Sequence, residues 1–155
     1  MAEMGAPEQV KPKNLGDYLE VMSRAVFQAG ISWRVVNSKW PDLKEAMKGF
    51  DILAVATLSE ADLEELAQDA RVIRNRRKLA AIVHNAQRLI ELDEAHGGFK
   101  DYLRSRGGFD EKVADLRKQF KFLGETGCYY FLYVVGEDVP PHDEWSRARD
   151  ERSRR

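Results

Sequence analysis

Apolar positions recur at helical spacing along most of this chain. Leu15, Leu19, Met22, Val26 and Ala29 follow one another at intervals of three and four, which predicts a helix with one buried stripe. Gly30 is placed to stop that helix. Pro41 sits where a first helical turn tolerates proline, and Gly49 closes the segment. The clearest start is Leu58-Ser59-Glu60-Ala61-Asp62-Leu63. There Ser59 can cap, Glu60 and Asp62 place negative charge at the positive end of the helix dipole, and Leu58 and Leu63 fit a hydrophobic staple. A further helix is predicted from about Arg77 to Leu92, with Leu79, Ile82, Val83, Ala86, Leu89 and Ile90 on one face.

Gly97-Gly98 and Gly107-Gly108 read as turns around the short segment Phe99 to Arg104, and Asp110 to Lys118 is helical but polar. Cys128 to Val135 has the aromatic and β-branched density of a strand. No second convincing strand exists to pair with it, so a buried helix is the preferred reading. The expected fold is therefore all-α, a compact bundle of short helices joined by tight turns. A single domain is expected over residues 14–142, after a flexible arm at 1–13 and before a charged tail at 143–155. That tail, from Trp145 onward, reads as frayed.

Bulk properties narrow the function. With 155 residues, 43% hydrophobic and 33% charged, the chain has the balance of a globular protein with a real core. Nothing approaches the roughly 18 consecutive apolar residues of a membrane span. Met1 to Lys13 lacks the apolar centre of a signal peptide, so a cytoplasmic location and no membrane partner are expected. A single cysteine, Cys128, excludes an internal disulfide and a cysteine-rich zinc site. Net charge is −1, so attraction to nucleic acid would have to come from a local basic patch.

Three segments could carry chemistry. Gln28-Ala29-Gly30-Ile31-Ser32-Trp33 follows a helix stop, and a turn of this kind can project a small side chain into a base stack. Ile31 and Trp33 could equally be core anchors after a glycine stop. Arg71 to Lys78 packs five cations into eight residues, which can hold phosphates or merely offset Glu60, Asp62, Glu64 and Glu65 nearby. Phe120 to Tyr130 leads an apolar pair, Phe122-Leu123, into a glycine turn and then a mostly apolar helix. Backbone N–H groups at such a turn make a phosphate site, although any tight helix–helix connection could look the same.

Taken together, the three segments resemble the 3-methyladenine DNA glycosylase I family. Gln28 to Trp33 is similar to its Gln-Ala-Gly-Leu-Ser-Trp signature. Asp69 to Lys78 is similar to Asp-x-x-Ile-Ile-Arg-Asn-Arg-x-Lys, and Asn85-Ala86 also matches. Phe120 to Tyr129 resembles Phe-Lys-Phe-Val-Gly-x-Thr-x-Cys-Tyr, and His142 falls where a C-terminal Asn-Asp-His ends. The matches come in family order and cover about Leu15 to His142.

The resemblance implies a helix-hairpin-helix glycosylase fold with Phe122 to Val135 as the hairpin and its second helix. Amides near Gly124, Thr126 and Gly127, assisted by Lys121, would hold a DNA phosphate, with Arg74 and Lys78 as further phosphate-binding cations. Gln28 or Ile31 would fill the gap left by an extruded nucleotide, and Trp33 would line the base pocket and stack on the flipped base. A cationic alkylated purine gains roughly 0.5–2 kcal/mol from an aromatic face. The implied partner is double-stranded DNA containing alkylated bases, acted on by a monomer without cofactor or metal.

Cys128 aligns with the position where bifunctional relatives carry a lysine nucleophile, which makes water the nucleophile here. Beside Tyr129 and Tyr130, it reads as an inert buried thiol. Many relatives use an aspartate just beyond the second helix; here the aligned position is proline, and Asp138, close in sequence but off register, reads as a solvated loop carboxylate.

The chain also departs from the family pattern. The family's base-contacting glutamate falls on Ala25, whose methyl accepts no hydrogen bond. The Trp- and Tyr-containing N-terminal segment of the family is expected to be missing, and of its zinc clip only His142 remains. The expected activity is thus monofunctional hydrolysis of the glycosidic bond of alkylated purines in base excision repair. The alternative is a catalytically inactive DNA- or lesion-binding protein of the same fold.

Overall fold

A computed structural model describes residues 6–154, and among these it contains nine α-helices and no strand. They are α1 (Leu15–Gln28), α2 (Trp33–Ala46), α3 (Ile52–Ala56), α4 (Glu60–Ala67), α5 (Arg76–His96), α6 (Phe99–Arg104), α7 (Phe109–Gln119), α8 (Glu125–Val134) and α9 (His142–Ser153). The all-α expectation holds. The region with strand-like composition is the buried helix α8, whose apolar residues pack against α1 and α7.

α1 packs against both α5 and α8 and so forms the centre of the molecule. Leu19 and Met22 of α1, Leu79, Ile82, Ala86 and Leu89 of α5, and Phe131 and Leu132 of α8 are fully buried. Each of the larger side chains contributes roughly 1.5–3 kcal/mol of apolar burial, offset by the entropy of ordering the chain. Caps set the helix ends. Asn14 accepts from the Asp17 amide, Ser59 and Asp62 form a reciprocal capping box, and Asn75 accepts from the Lys78 amide. Glu137, 8% exposed, is held by Lys112 at 3.3 Å and Arg104 at 3.6 Å, which ties the end of α8 to α6 and α7.

Three local expectations are corrected. Pro41 lies inside α2, eight residues after its start, rather than in a first turn. It and Asn37, whose carbonyl loses the proline N–H, are both exposed, so water replaces the missing bond while Val36, Trp40 and Leu43 hold the helix to the core. The residues read as a frayed tail form α9 as far as Ser153. Trp145 is buried there, its ring 4.5 Å from that of Tyr129, and Arg152 reaches Glu125 at 3.3 Å. Those tertiary contacts fold a segment with almost no apolar periodicity of its own. The predicted arm is also tied down in part: the Val10 amide donates to the Val134 carbonyl at 2.7 Å, and the Gln9 amide group to that of Tyr133 at 2.9 Å. The first five residues of that arm lie outside the described residues.

Candidate nucleic-acid interface and base cleft

α1 ends at Gln28, and Ser32 caps α2 by accepting from the Arg34 amide at 3.2 Å, so the connection between them is very short. Gly30 takes a φ of 82°, the left-handed region that glycine adopts without strain, and the chain reverses there. Ile31 is half-buried against the core. Trp33, expected in a turn, is the first residue of α2 and 44% exposed, with the Arg34 guanidinium 5.5 Å from its ring centre.

The basic segment divides by partner. Arg71 pairs with Asp69 at 2.7 Å and Glu45 at 3.2 Å, and Arg76 with Glu64 at 3.0 Å and with Glu60. The guanidinium of Arg71 holds the Asp69 carboxyl at about 2, well below the usual carboxylate range. Arg74 and Arg77 stay exposed. Lys78, expected among the phosphate-binding cations, is the exception and turns inward. It is only 6% exposed, and its Nζ donates to the Ala29 carbonyl at 2.6 Å and the Phe27 carbonyl at 3.4 Å. Burial pushes its pKa below the ordinary lysine value.

Residues 120–124 join α7 to α8. Asn85, buried in α5, clamps their start: its Oδ1 accepts from the Lys121 amide at 2.8 Å, and its Nδ2 donates to the Lys121 carbonyl at 3.1 Å. The clamp holds Phe122 at a φ of 58°, an unfavourable region for a side chain with a Cβ. Phe122 is exposed, and Arg77 lies over its ring at 5.6 Å. Gly124 caps α8 with no side chain, and the first amide to find a helical partner is that of Cys128, at 2.9 Å from the Gly124 carbonyl. The amides of Glu125, Thr126 and Gly127 therefore precede the hydrogen-bond ladder, at the positive end of the helix dipole. Lys121, Gly124 and Thr126 are exposed and Gly127 is half-buried. α9 reaches this end too, since Arg149 donates to the Thr126 hydroxyl at 2.8 Å.

A cleft of about 720 Å³ opens beside α1, walled by α2, α8 and residues 6–10. Gln28, Trp33, Arg24, Asn37 and Tyr130 face it. Arg24 is held flat on Trp40, 4.5 Å from the ring centre, and its Nη1 bonds the Asn37 side chain. Burial raises the pKa of the Tyr130 hydroxyl, partly offset by Arg24 and a hydrogen bond with Gln28. Among the lining residues, the carboxylates Glu8, Asp17 and Glu20 outnumber the guanidinium of Arg24, so the lining is net negative. Ala25, expected in this pocket, is instead packed between α1 and α8. It is 4% exposed, and a Cβ on Gly127 would lie 3.6 Å from its own. A longer side chain there would need α8 to move away.

Cys128 is fully buried and its thiol is pushed up to about 12, consistent with an unreactive core residue. His142 packs against Tyr129 and Trp145, at 5.4 and 5.5 Å between ring centres. Asp138 is exposed. Sequence reasoning gave no role to Arg24, Asn37 or Tyr130, and only the crossing of three helices brings them together. Asn85 did leave a signal: a polar residue three positions after Ile82 and four before Leu89, in the apolar stripe of α5.

Comparison with known proteins decides what this arrangement belongs to. The methyladenine glycosylase family matches residues 9–115. The chain belongs to the methyladenine glycosylase family. Within that family it is 30% identical to DNA-3-methyladenine glycosylase 1 of Escherichia coli, over 86% of this chain and 81% of that one. It is 31% identical to DNA-3-methyladenine glycosylase of Haemophilus influenzae, over 70% of each. The fold of this methyladenine glycosylase relative matches the crystal structure of a 3-methyladenine DNA glycosylase I with a TM-score of 0.72 at 28% identity, covering 82% of this chain and 81% of that one.

Proposed function

We propose that the protein is a monofunctional DNA glycosylase that hydrolyses the N-glycosidic bond of alkylated purines in double-stranded DNA, acting as a monomer. The observation that carries this reading is the placement of Trp33 and Gln28 on a net negative cleft directly beside the 29–32 turn. A nucleotide rotated out of the duplex enters the cleft, Ile31 takes its place in the stack, and Trp33 stacks on the base. The hairpin of a helix-hairpin-helix, residues 120–124 with the first amides of α8, holds a backbone phosphate, with Lys121, Arg74 and Arg77 adding charge.

Chemically, the positive charge of an alkylated purine does most of the work. The C1′–N bond breaks with its electron pair passing to the cationic base, water adds to C1′ and releases a proton, and a neutral base leaves. Glu8 and Asp17 provide the negative field that the glutamate aligned with Ala25 no longer supplies, Glu20 being paired with Lys44 at 3.0 Å. Incubation of methylated duplex with the protein should release free methylated purine. Trp33→Ala should lower release by about 10–100-fold, as expected when a base-stacking platform is removed, while duplex affinity stays within about twofold. No release beside an active control refutes this reading.

One observation favours a second reading. Ala25 leaves the α1 position without a hydrogen-bond acceptor and buried against α8. A protein that flips and holds lesions without hydrolysing them would bind damaged duplex in a salt-dependent way and release no base.

A further inference from the structure

The interior face of α5 carries two buried polar side chains, and each leaves the helix to hold a loop. Asn85 fixes residues 120–124, and Lys78 fixes the end of α1. The last turn of any helix has carbonyls without an intrahelical partner, and its dipole favours a cation there. Lys78 supplies that cation from another helix. Both its acceptors are backbone carbonyls, and one of them, Ala29, belongs to the turn itself.

Apart from Ile31, which rests partly on the core, and the Ser32 cap that starts α2, the turn has little else to give it shape. Ala29 and Gly30 are exposed, and no atom outside the chain neighbours lies within 4 Å of where a Gly30 Cβ would stand. Its one internal backbone bond runs from the Ile31 amide to the Gln28 carbonyl at 3.2 Å. Entering a base stack pushes back on such a turn, so its stiffness has to come from below. We infer that Lys78 is a positioning residue for base extrusion, holding the 29–32 turn so that Ile31 enters the stack, and that it makes no phosphate contact. This rests on the glycosylase reading for its consequence in catalysis, but not for the insertion step.

The test compares the wild-type protein with Lys78→Met, which keeps the apolar stem and removes the donor. The probe is a duplex with a tetrahydrofuran abasic analogue beside 2-aminopurine, whose fluorescence rises when the stack opens. At saturating protein the rise should fall at least about threefold, and the rate of base release from methylated duplex should fall about 10–100-fold, as a small misplacement of a reacting geometry costs. Duplex affinity should stay within about twofold, and the slope of log K against log salt should not change, because each lost phosphate contact would lower it by about 0.9.

Lys78→Arg, which keeps a donor, should recover part of both signals. If Lys78→Met loses its helical circular dichroism, Lys78→Leu, apolar, shorter and without a donor, is read against the same expectations. An unchanged fluorescence rise and release rate overturns the inference. So does a salt slope reduced by about one, which would make Lys78 a phosphate contact after all. A wild-type protein that opens the stack and releases no base overturns the glycosylase reading and leaves this inference standing.

Discussion

Replacing Asn85 by alanine isolates the link between the core and the 120–124 loop. The side chain is 1% exposed and makes two hydrogen bonds to the backbone of Lys121, at 2.8 and 3.1 Å. Each bond contributes about 0.5–1.5 kcal/mol net. Lys121 is exposed, so water can take up its freed N–H and C=O, and the full penalty for orphaned buried groups does not apply. The expected loss is therefore about 2 kcal/mol, which for a domain of this size lowers Tm by about 4–8 °C. Urea titration measures it directly: the midpoint should fall with an unchanged slope, because the surface exposed on unfolding is the same.

The same change frees Phe122 from its left-handed conformation, and the strain it releases, up to about 1–2 kcal/mol, offsets part of that loss, so about 2 kcal/mol is the upper end of the expectation. Residues 120–124 should then relax and scatter the first amides of α8. Duplex binding should weaken by about tenfold, the equivalent of about 1.4 kcal/mol. Asn85→Asp is the control. It keeps an acceptor for the Lys121 amide but puts a carboxylate against the Lys121 carbonyl, so it should be no better than alanine at neutral pH. A stability loss below about 0.5 kcal/mol, together with wild-type duplex binding, would refute the clamp, since surface substitutions away from such features fall in that range.

Arg77→Ala, which removes an exposed cation over Phe122, should lower the salt slope of duplex binding by about 0.9, whereas Arg71→Ala, whose cation is already paired, should change it little. Fluorescence anisotropy titrations at several salt concentrations separate the two. The Cys128 thiol, pushed up to about 12 by burial, has a native value above its unfolded value of 9.0. The stability it contributes is complete below pH 9 and is lost as pH rises toward 12, by up to about 1.4 kcal/mol per pH unit. Tyr18 and Tyr130, also raised by burial, act in the same direction. Urea midpoints should therefore fall between pH 9 and 11, and less steeply in Cys128→Ala. Thiol labelling of the native protein at pH 8 should proceed only at the rate of opening.

Much of the fold could be read from the order of residues. The stripe from Leu15 to Val26, the Ser59 cap and the apolar face of α5 are local patterns, and each formed the helix it announced. The segments that resemble the glycosylase family were also local, because turns and helix starts are built from neighbouring residues. Where the reading went wrong, the deciding partner was distant in sequence. α9 depends on Trp145 meeting Tyr129, and the segment at 6–10 depends on the end of α8.

Lys78 and Ala25 show the limit most clearly. Along the chain Lys78 is one of five cations in a basic run, and nothing beside it tells that its ammonium faces inward. The stripe that continues from it through Ile82, Asn85 and Leu89 carries that information, but only once α1 and the 120–124 loop are placed on either side of α5. Ala25 aligned with a pocket position, yet the close approach of Gly127 turns it into packing between α1 and α8. Sequence by itself determined the helices that carry their own stripe or cap, such as α1, α4 and α5, because backbone propensity and capping are short-range. The tertiary structure alone decided which charges are spent inside and which residues wall the cleft, because burial and pairing depend on atoms that the chain brings together only when it is folded.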